Sequence, residues 1–200
     1  MKKLLVVLLA VLLMTALVGC DKEDISDNWV DMEFKLGNKK YSLPCSFQDF
    51  SKNGWLLEES YELQPADYTI DMYEVWNKDF YDQGRDLYAF ILMDFENYGD
   101  KAQDIKDCHV YWVAFSTIYD DEKISNGYEI ELAKKIKWGS TEEEIVAAYG
   151  PVEEGNREAY EGGYIILVYE NTTKNMYSRM VLYLLDDGGL YSVILSKYPE

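Results

Sequence analysis

The single histidine of the chain, His109, directly follows Cys108 in "IKDCHV", and a thiol beside an imidazole is the pairing that cysteine nucleophiles use. For that chemistry the two side chains must meet. The run that follows, "HVYWVAFST", is rich in β-branched and aromatic residues and reads as a strand, in which neighbours point to opposite faces. The spacing therefore parts the pair. A zinc site needs three or four His and Cys ligands, and His109, Cys45 and Cys108 are all that the chain offers after residue 20. No metal and no cofactor is expected. Carboxylates are plentiful, and Asp120, Asp121, Glu122 and Asn126 could gather loosely around calcium, but the D-x-D-x-D-G spacing of a calcium loop is missing. Asp186 and Asp187 stand before Gly188-Gly189 and read as a turn. A glycosidase needs two acids converging on one bond, and among 37 acidic residues nothing singles out such a pair. The chain reads as non-catalytic.

The cysteine with the most specific surroundings is Cys20. "MKK", the apolar run from Leu4 to Val18 and the small residues of "LVGC" follow the order of a secretory signal, and "LVGC" resembles the bacterial lipobox. That resemblance implies that the Cys20 thiol carries diacylglycerol, that the bond before it is cut, and that the new amino terminus can be acylated. A plain transmembrane anchor is the alternative, and a run of about 15 residues is short for one. Residues 1–19 are then a removed signal peptide, 20–28 a lipidated cysteine with a flexible polar tether, and 29–200 a single extracytoplasmic domain on the cell membrane. Each buried methylene contributes about 0.8 kcal/mol, so two or three chains anchor durably. Roughly 170 residues remain, enough for one domain with its own core.

The charge narrows the partners. The chain has 19 basic and 37 acidic residues; loss of Lys2 and Lys3 leaves 19 − 2 = 17 basic, a net charge of −20. Such a chain is repelled by phosphates, so nucleic acid is not expected as a partner. Anionic headgroups repel it too, which predicts a domain held off the membrane by its tether. Cys45 and Cys108 lie outside the cytoplasm, where they can either form a disulfide or pack as two buried thiols. A bridge closing about 60 residues would stabilise by about 4 kcal/mol in the chain-entropy model.

The elements that must position these residues are mostly strands. "WVDMEFKL", "GNKK" and "YSLPC" read as a hairpin. In "SFQDFSKNGW", Ser46 caps a helix of about two turns, Phe47 and Phe50 share one face, and Asn53-Gly54 supply a left-handed exit. "WLLEE", "DYTIDMYEVW", "DLYAFILMDFEN" and "HVYWVAFST" follow as antiparallel strands, and "YDDEKISNG" reads as a loop. In "KWGSTEEEIVAAYGP", Ser140 and Glu143 have capping-box spacing, Glu142 to Glu144 suit the positive end of the helix dipole, and Ile145, Ala148 and Tyr149 form a buried stripe that Gly150-Pro151 ends. Three more strands close the chain. The two Ser-capped helices, each followed by strands, suggest α-then-β units over 29–118 and 128–200. The expectation is an α+β fold: antiparallel sheet with short helices packed on one face.

"IKWGSTEEEIVAAYGPVEE" resembles an element of small extracytoplasmic lipoproteins, including the BamE/SmpA group of outer-membrane assembly factors and the β-lactamase-inhibitor-protein-like fold. With "LPCSFQDFSKNGW" and "ENYGDKAQDIKDC", the whole resembles uncharacterised lipoproteins of Gram-positive, clostridia-type bacteria. The resemblance implies a sheet with short helices, often in two repeats, used for protein binding. It supplies no catalytic residue.

Eighteen Tyr and five Trp are more than a core of this size needs, and such residues bury much area at small entropic cost in recognition surfaces. Tyr73, Trp76, Phe80 and Tyr81 in "YEVWNKDFYDQG", and Tyr160 and Tyr164 in "GNREAYEGGY", sit beside turns and are the candidate binding aromatics. The alternative is that they pack across strands of a half-exposed sheet. The expected function is a non-catalytic module that binds a protein or peptide of the cell envelope; binding of cell-wall glycan or a small ligand is the second reading.

Overall fold

The computed structural model describes residues 24–57, 62–69, 72–82, 87–120, 123–125 and 128–200. The apolar run, Cys20 and the start of the tether lie outside the described residues, as do Asp121, Glu122 and Asn126 of the calcium reading. Sixteen strands and two helices are described in chain order: β1 (Glu33–Leu36), β2 (Lys39–Ser42), β3 (Cys45–Ser46), α1 (Phe47–Ser51), β4 (Trp55–Leu57), β5 (Glu62–Leu63), β6 (Tyr73–Asp82), β7 (Leu87–Glu96), β8 (Gln103–Asp104), β9 (His109–Ser116), β10 (Ile118–Asp120), β11 (Lys123–Ser125), β12 (Ile130–Leu132), α2 (Glu142–Tyr149), β13 (Arg157–Tyr160), β14 (Tyr164–Thr172), β15 (Met176–Leu185) and β16 (Gly189–Pro199).

The principal sheet is antiparallel and runs β13-β14-β15-β16-β9-β7-β6-β4, with β3 added against β9. The strands before β9 and the strands before β16 form two meanders that meet where β9 pairs with β16. Alternation sets its inner face: Ile91, Met93, Val113, Phe115, Leu182 and Val193 are all buried. A second, three-stranded sheet, β12-β1-β2, lies over that face and sends Phe34, Leu36, Tyr41, Ile130 and Leu132 into the same core. Phe34 on β1 lies 5.3 Å from Phe115 on β9, so the two sheets meet through aromatic contact.

This corrects the expected α+β arrangement: the protein is plainly β-rich, and the layer opposite the main sheet is itself built on a sheet. The physical reason is length. Helix α1 has five residues and α2 eight, about 8 Å and 12 Å at the helical rise, too little to cover a sheet of this width. They plug its flanks instead. Phe47 and Phe50 of α1 are buried, Phe50 stacking 4.4 Å from Tyr41 and Phe47 meeting Phe95 at 5.7 Å. Ile145 of α2 is buried, and the Tyr149 hydroxyl donates to the Ala133 carbonyl at 2.8 Å.

Caps follow the sequence at one helix and shift by one residue at the other. Ser46 accepts from the Gln48 amide and Gly54 takes φ +87°, as the pattern around α1 predicts. At α2 the capping box belongs to Thr141 and Glu144, not to Ser140 and Glu143. Ser140 is buried one residue earlier, where its hydroxyl accepts from the Lys137 amide. The "YDDEKISNG" stretch is no plain loop: β10 and β11 pair as a short hairpin.

Candidate functional site

Alternation that buries one face of the main sheet leaves the other half-buried, with Val181 and Ser196 covered fully, and there the residue types are unusual. Leu92, Ala114, Ile194, Val181 and Val168 stand opposite one another across β7, β9, β16, β15 and β14. An uninterrupted apolar row crosses five strands. On one side of it runs Asp94, Trp112, Ser196, Arg179 and Glu170, and on the other Ser116, Ser192, Tyr183, Ile166 and Glu158. Toward β4 the face continues through Phe90, Trp76 and Leu56, and toward β13 through Tyr164 and Tyr160, whose rings stack 4.7 Å apart. Where Phe90, Leu92, Trp112, Tyr183 and Ile194 converge, a depression of about 240 Å³ opens. Phe90, Leu56 and Met72 are among the most exposed large apolar side chains described.

The sequence-based candidates divide. Trp76, Tyr160 and Tyr164 belong to this outer face. Tyr73 and Phe80 do not: both pack on the core, Tyr73 against Phe95 at 6.2 Å and Phe80 against Trp55 and Tyr128 at 5.7 Å. Tyr81 pairs with Tyr88 on β7, and its side chain lies outside the described residues. The residues that build the depression lie at mid-strand, away from the turns beside which the aromatic candidates of the sequence stand. Alternation could have found them: in "HVYWVAFS" Val113 and Phe115 take the core, which leaves Trp112 and Ala114 for the opposite side.

Cys108 and His109 are parted as the strand reading predicts, Cys108 buried and His109 exposed against Tyr98 at 5.2 Å. Cys45 and Cys108 are free thiols, not a bridge; Cys45 stands opposite Val110, two residues beyond Cys108. Burial pushes the Cys45 thiol up to about 12 and the Cys108 thiol up to about 11, which leaves almost no thiolate near neutrality. Among the described residues, no three His, Cys, Asp or Glu side chains gather as a metal site. Glu142 accepts a two-point contact from Arg157, which holds its carboxyl below the ordinary range, the opposite of what a general acid needs. On the outer face, the hydrogen bond to Glu158 raises the Tyr160 hydroxyl above its usual value, and partial burial, then Glu170, pushes that of Tyr177 to about 12. Both remain neutral donors.

No family model, curated protein or solved structure matches the chain.

Proposed function

We propose that the chain is a non-catalytic binding module, tethered to the extracytoplasmic side of the cell membrane by lipid on Cys20, that holds a protein or peptide of the cell envelope against the outer face of its main sheet. The observation that carries the reading is the apolar row from Leu92 to Val168 with its flanking Trp112 and Phe90. A face of this width and composition on a sheet whose other side already fills a core is of the kind that marks an interaction site. The "LVGC" motif supports the anchor, and the resemblance of residues 136–154 to protein-binding lipoproteins supports the partner class. A glycan or small ligand is the weaker reading, because the depression of about 240 Å³ falls below the ~300–1,000 Å³ usual for such sites.

The test is site-specific photo-crosslinking in intact cells. A crosslinker at Ile194 should capture one envelope protein that a crosslinker at Lys52, exposed on α1's exit, does not. Equal capture from both positions, or none from Ile194, overturns the reading. Incorporation of labelled palmitate, abolished by Cys20→Ala, tests the anchor separately.

A further inference from the structure

Each row of the outer face ends in a carboxylate. Glu74 stands opposite Leu92 at the head of the apolar row, Asp94 heads the Trp112 row, and Glu170 and Glu158 close the far side. Arg179 is a basic side chain on this face, and Glu170 holds it at 3.0 Å; the side chain of Lys78 on β6 lies outside the described residues. The centre is therefore apolar, one end carries Glu74 and Asp94, and at the other Arg179 offsets Glu170 and leaves Glu158 as the net negative charge. A second copy of the cut chain would bring its own acids against these and add its net charge of 17 − 37 = −20 to the repulsion.

Resting on the binding reading above, we infer that the occupant of this face is an amphipathic helix of another protein, with an apolar stripe at its middle and lysine or arginine at both ends. The sheet decides the conformation. Strands β7 to β14 spend their backbone donors and acceptors on one another, so the face offers none to an incoming segment, and a helix is the single-segment form that satisfies its own. The spacing decides the length. From Asp94 on β7 to Glu170 on β14 is four strand intervals, about 19 Å at ordinary strand spacing. A helix rising 1.5 Å per residue covers that in about 13 residues.

The full chain, solubilised in neutral detergent, is titrated by calorimetry with three synthetic helical peptides of 14 residues. One has a leucine stripe and lysines at both ends, one the same stripe with glutamates at the ends, and one the lysine ends with glutamines in place of leucines. The first should bind at least tenfold tighter than either of the others, and more weakly as salt rises. Ile194→Asp should weaken it at least tenfold, although that change adds negative charge and would favour mere electrostatic adhesion. Glu74→Lys with Glu158→Lys should weaken it as well, with unchanged circular dichroism for all variants. If the glutamate-ended peptide binds equally well and Ile194→Asp still removes it, the inference falls and the binding face stands. If the lysine-ended peptide ignores Ile194→Asp, or if zwitterionic phosphatidylcholine vesicles bind instead through the same residue, the inference falls too. Photo-capture at Ile194 then judges the binding reading by itself.

Discussion

Arg157 grips Glu142 at two points, Nε to Oε1 at 2.6 Å and Nη2 to Oε2 at 3.0 Å, and so ties the edge strand β13 to the head of helix α2. The hydrogen bonds from Arg157 lower the Glu142 carboxyl below its ordinary range. A group whose folded value is depressed contributes stability above its unfolded value, about 4.3 for glutamate, and loses it as pH falls through the lower folded value. The pair is partly exposed, so its worth is that of a good surface pair, about 0.5–1 kcal/mol. Arg157→Ala should cost that much at pH 7 and less at pH 3, measured by urea unfolding. An equal loss at both pH values would show that the contact acts through packing and not through charge.

The two faces of the main sheet should answer differently to the same truncation. Leu182 is fully buried between the sheets, and Leu182→Ala should cost about 2–5 kcal/mol, the range for a cavity in a packed core. Leu92 is half-buried on the outer face, and Leu92→Ala should cost about 1 kcal/mol or less while weakening partner capture. Comparable losses of stability would mean that the outer face is a second core.

Tyr128 sits among Trp55, Phe80 and Trp138 with ring centroids 5.7–6.4 Å away, and its buried hydroxyl has no hydrogen-bond partner among the described residues. A buried orphan of this kind costs about 1–3 kcal/mol in lost hydration. Tyr128→Phe keeps the ring packing and deletes the orphan, so the variant should be as stable as the parent or gain about 1 kcal/mol by thermal or urea unfolding. A loss above about 1 kcal/mol would reveal a partner for the hydroxyl.

These contrasts show which layers could be read from the chain. The strands from Trp55 to Ser116 and from Tyr164 to Pro199 were legible because their β-branched and aromatic runs are long and bounded by turn residues. The β-rich class was not, because β1, β2 and β12 have three or four residues each and "KKYS" carries too few apolar residues to announce a layer. Only the pairing of Phe34 with Leu132, nearly a hundred positions apart, makes a sheet of them. The cap of α2 slipped by one residue for a related reason. Ser140 and Thr141 carry equivalent hydroxyls with a glutamate three residues on, and tertiary burial of Ser140 decides between them. The outer face is written in the alternation at mid-strand, whereas the aromatics beside turns are divided between that face and the core.

Free thiols held near 11 and 12 by burial should resist alkylation. At pH 8 in native buffer, iodoacetamide should leave Cys45 and Cys108 unmodified over the time in which a small free thiol is consumed. In guanidinium without reductant both should react. Failure to react after unfolding, reversed by reduction and accompanied by a mass change on reduction, would establish a bridge between them.

Gly189 and Gly155 both hold left-handed φ, +69° and +92°, yet a methyl group has different consequences at the two. At Gly155 nothing lies within 4 Å of the added carbon, so Gly155→Ala should cost only the conformational penalty of about 1–2 kcal/mol. At Gly189 the added carbon would fall 2.3 Å from the Gly139 carbonyl oxygen and 2.9 Å from that of Ser140. Those are backbone atoms, and they are not free to turn aside. Leu190 donates to the Ser140 carbonyl at 2.9 Å and Gly139 to the Leu190 carbonyl at 2.9 Å, a reciprocal pair that locks the approach to α2 onto the start of β16. Gly189→Ala must open that lock, and it should cost clearly more than Gly155→Ala, above about 2 kcal/mol, with local amide exchange accelerated at Leu190 and Gly139. Equal costs for the two glycines would mean that the turn yields without strain and that the close approach does not hold α2 in place.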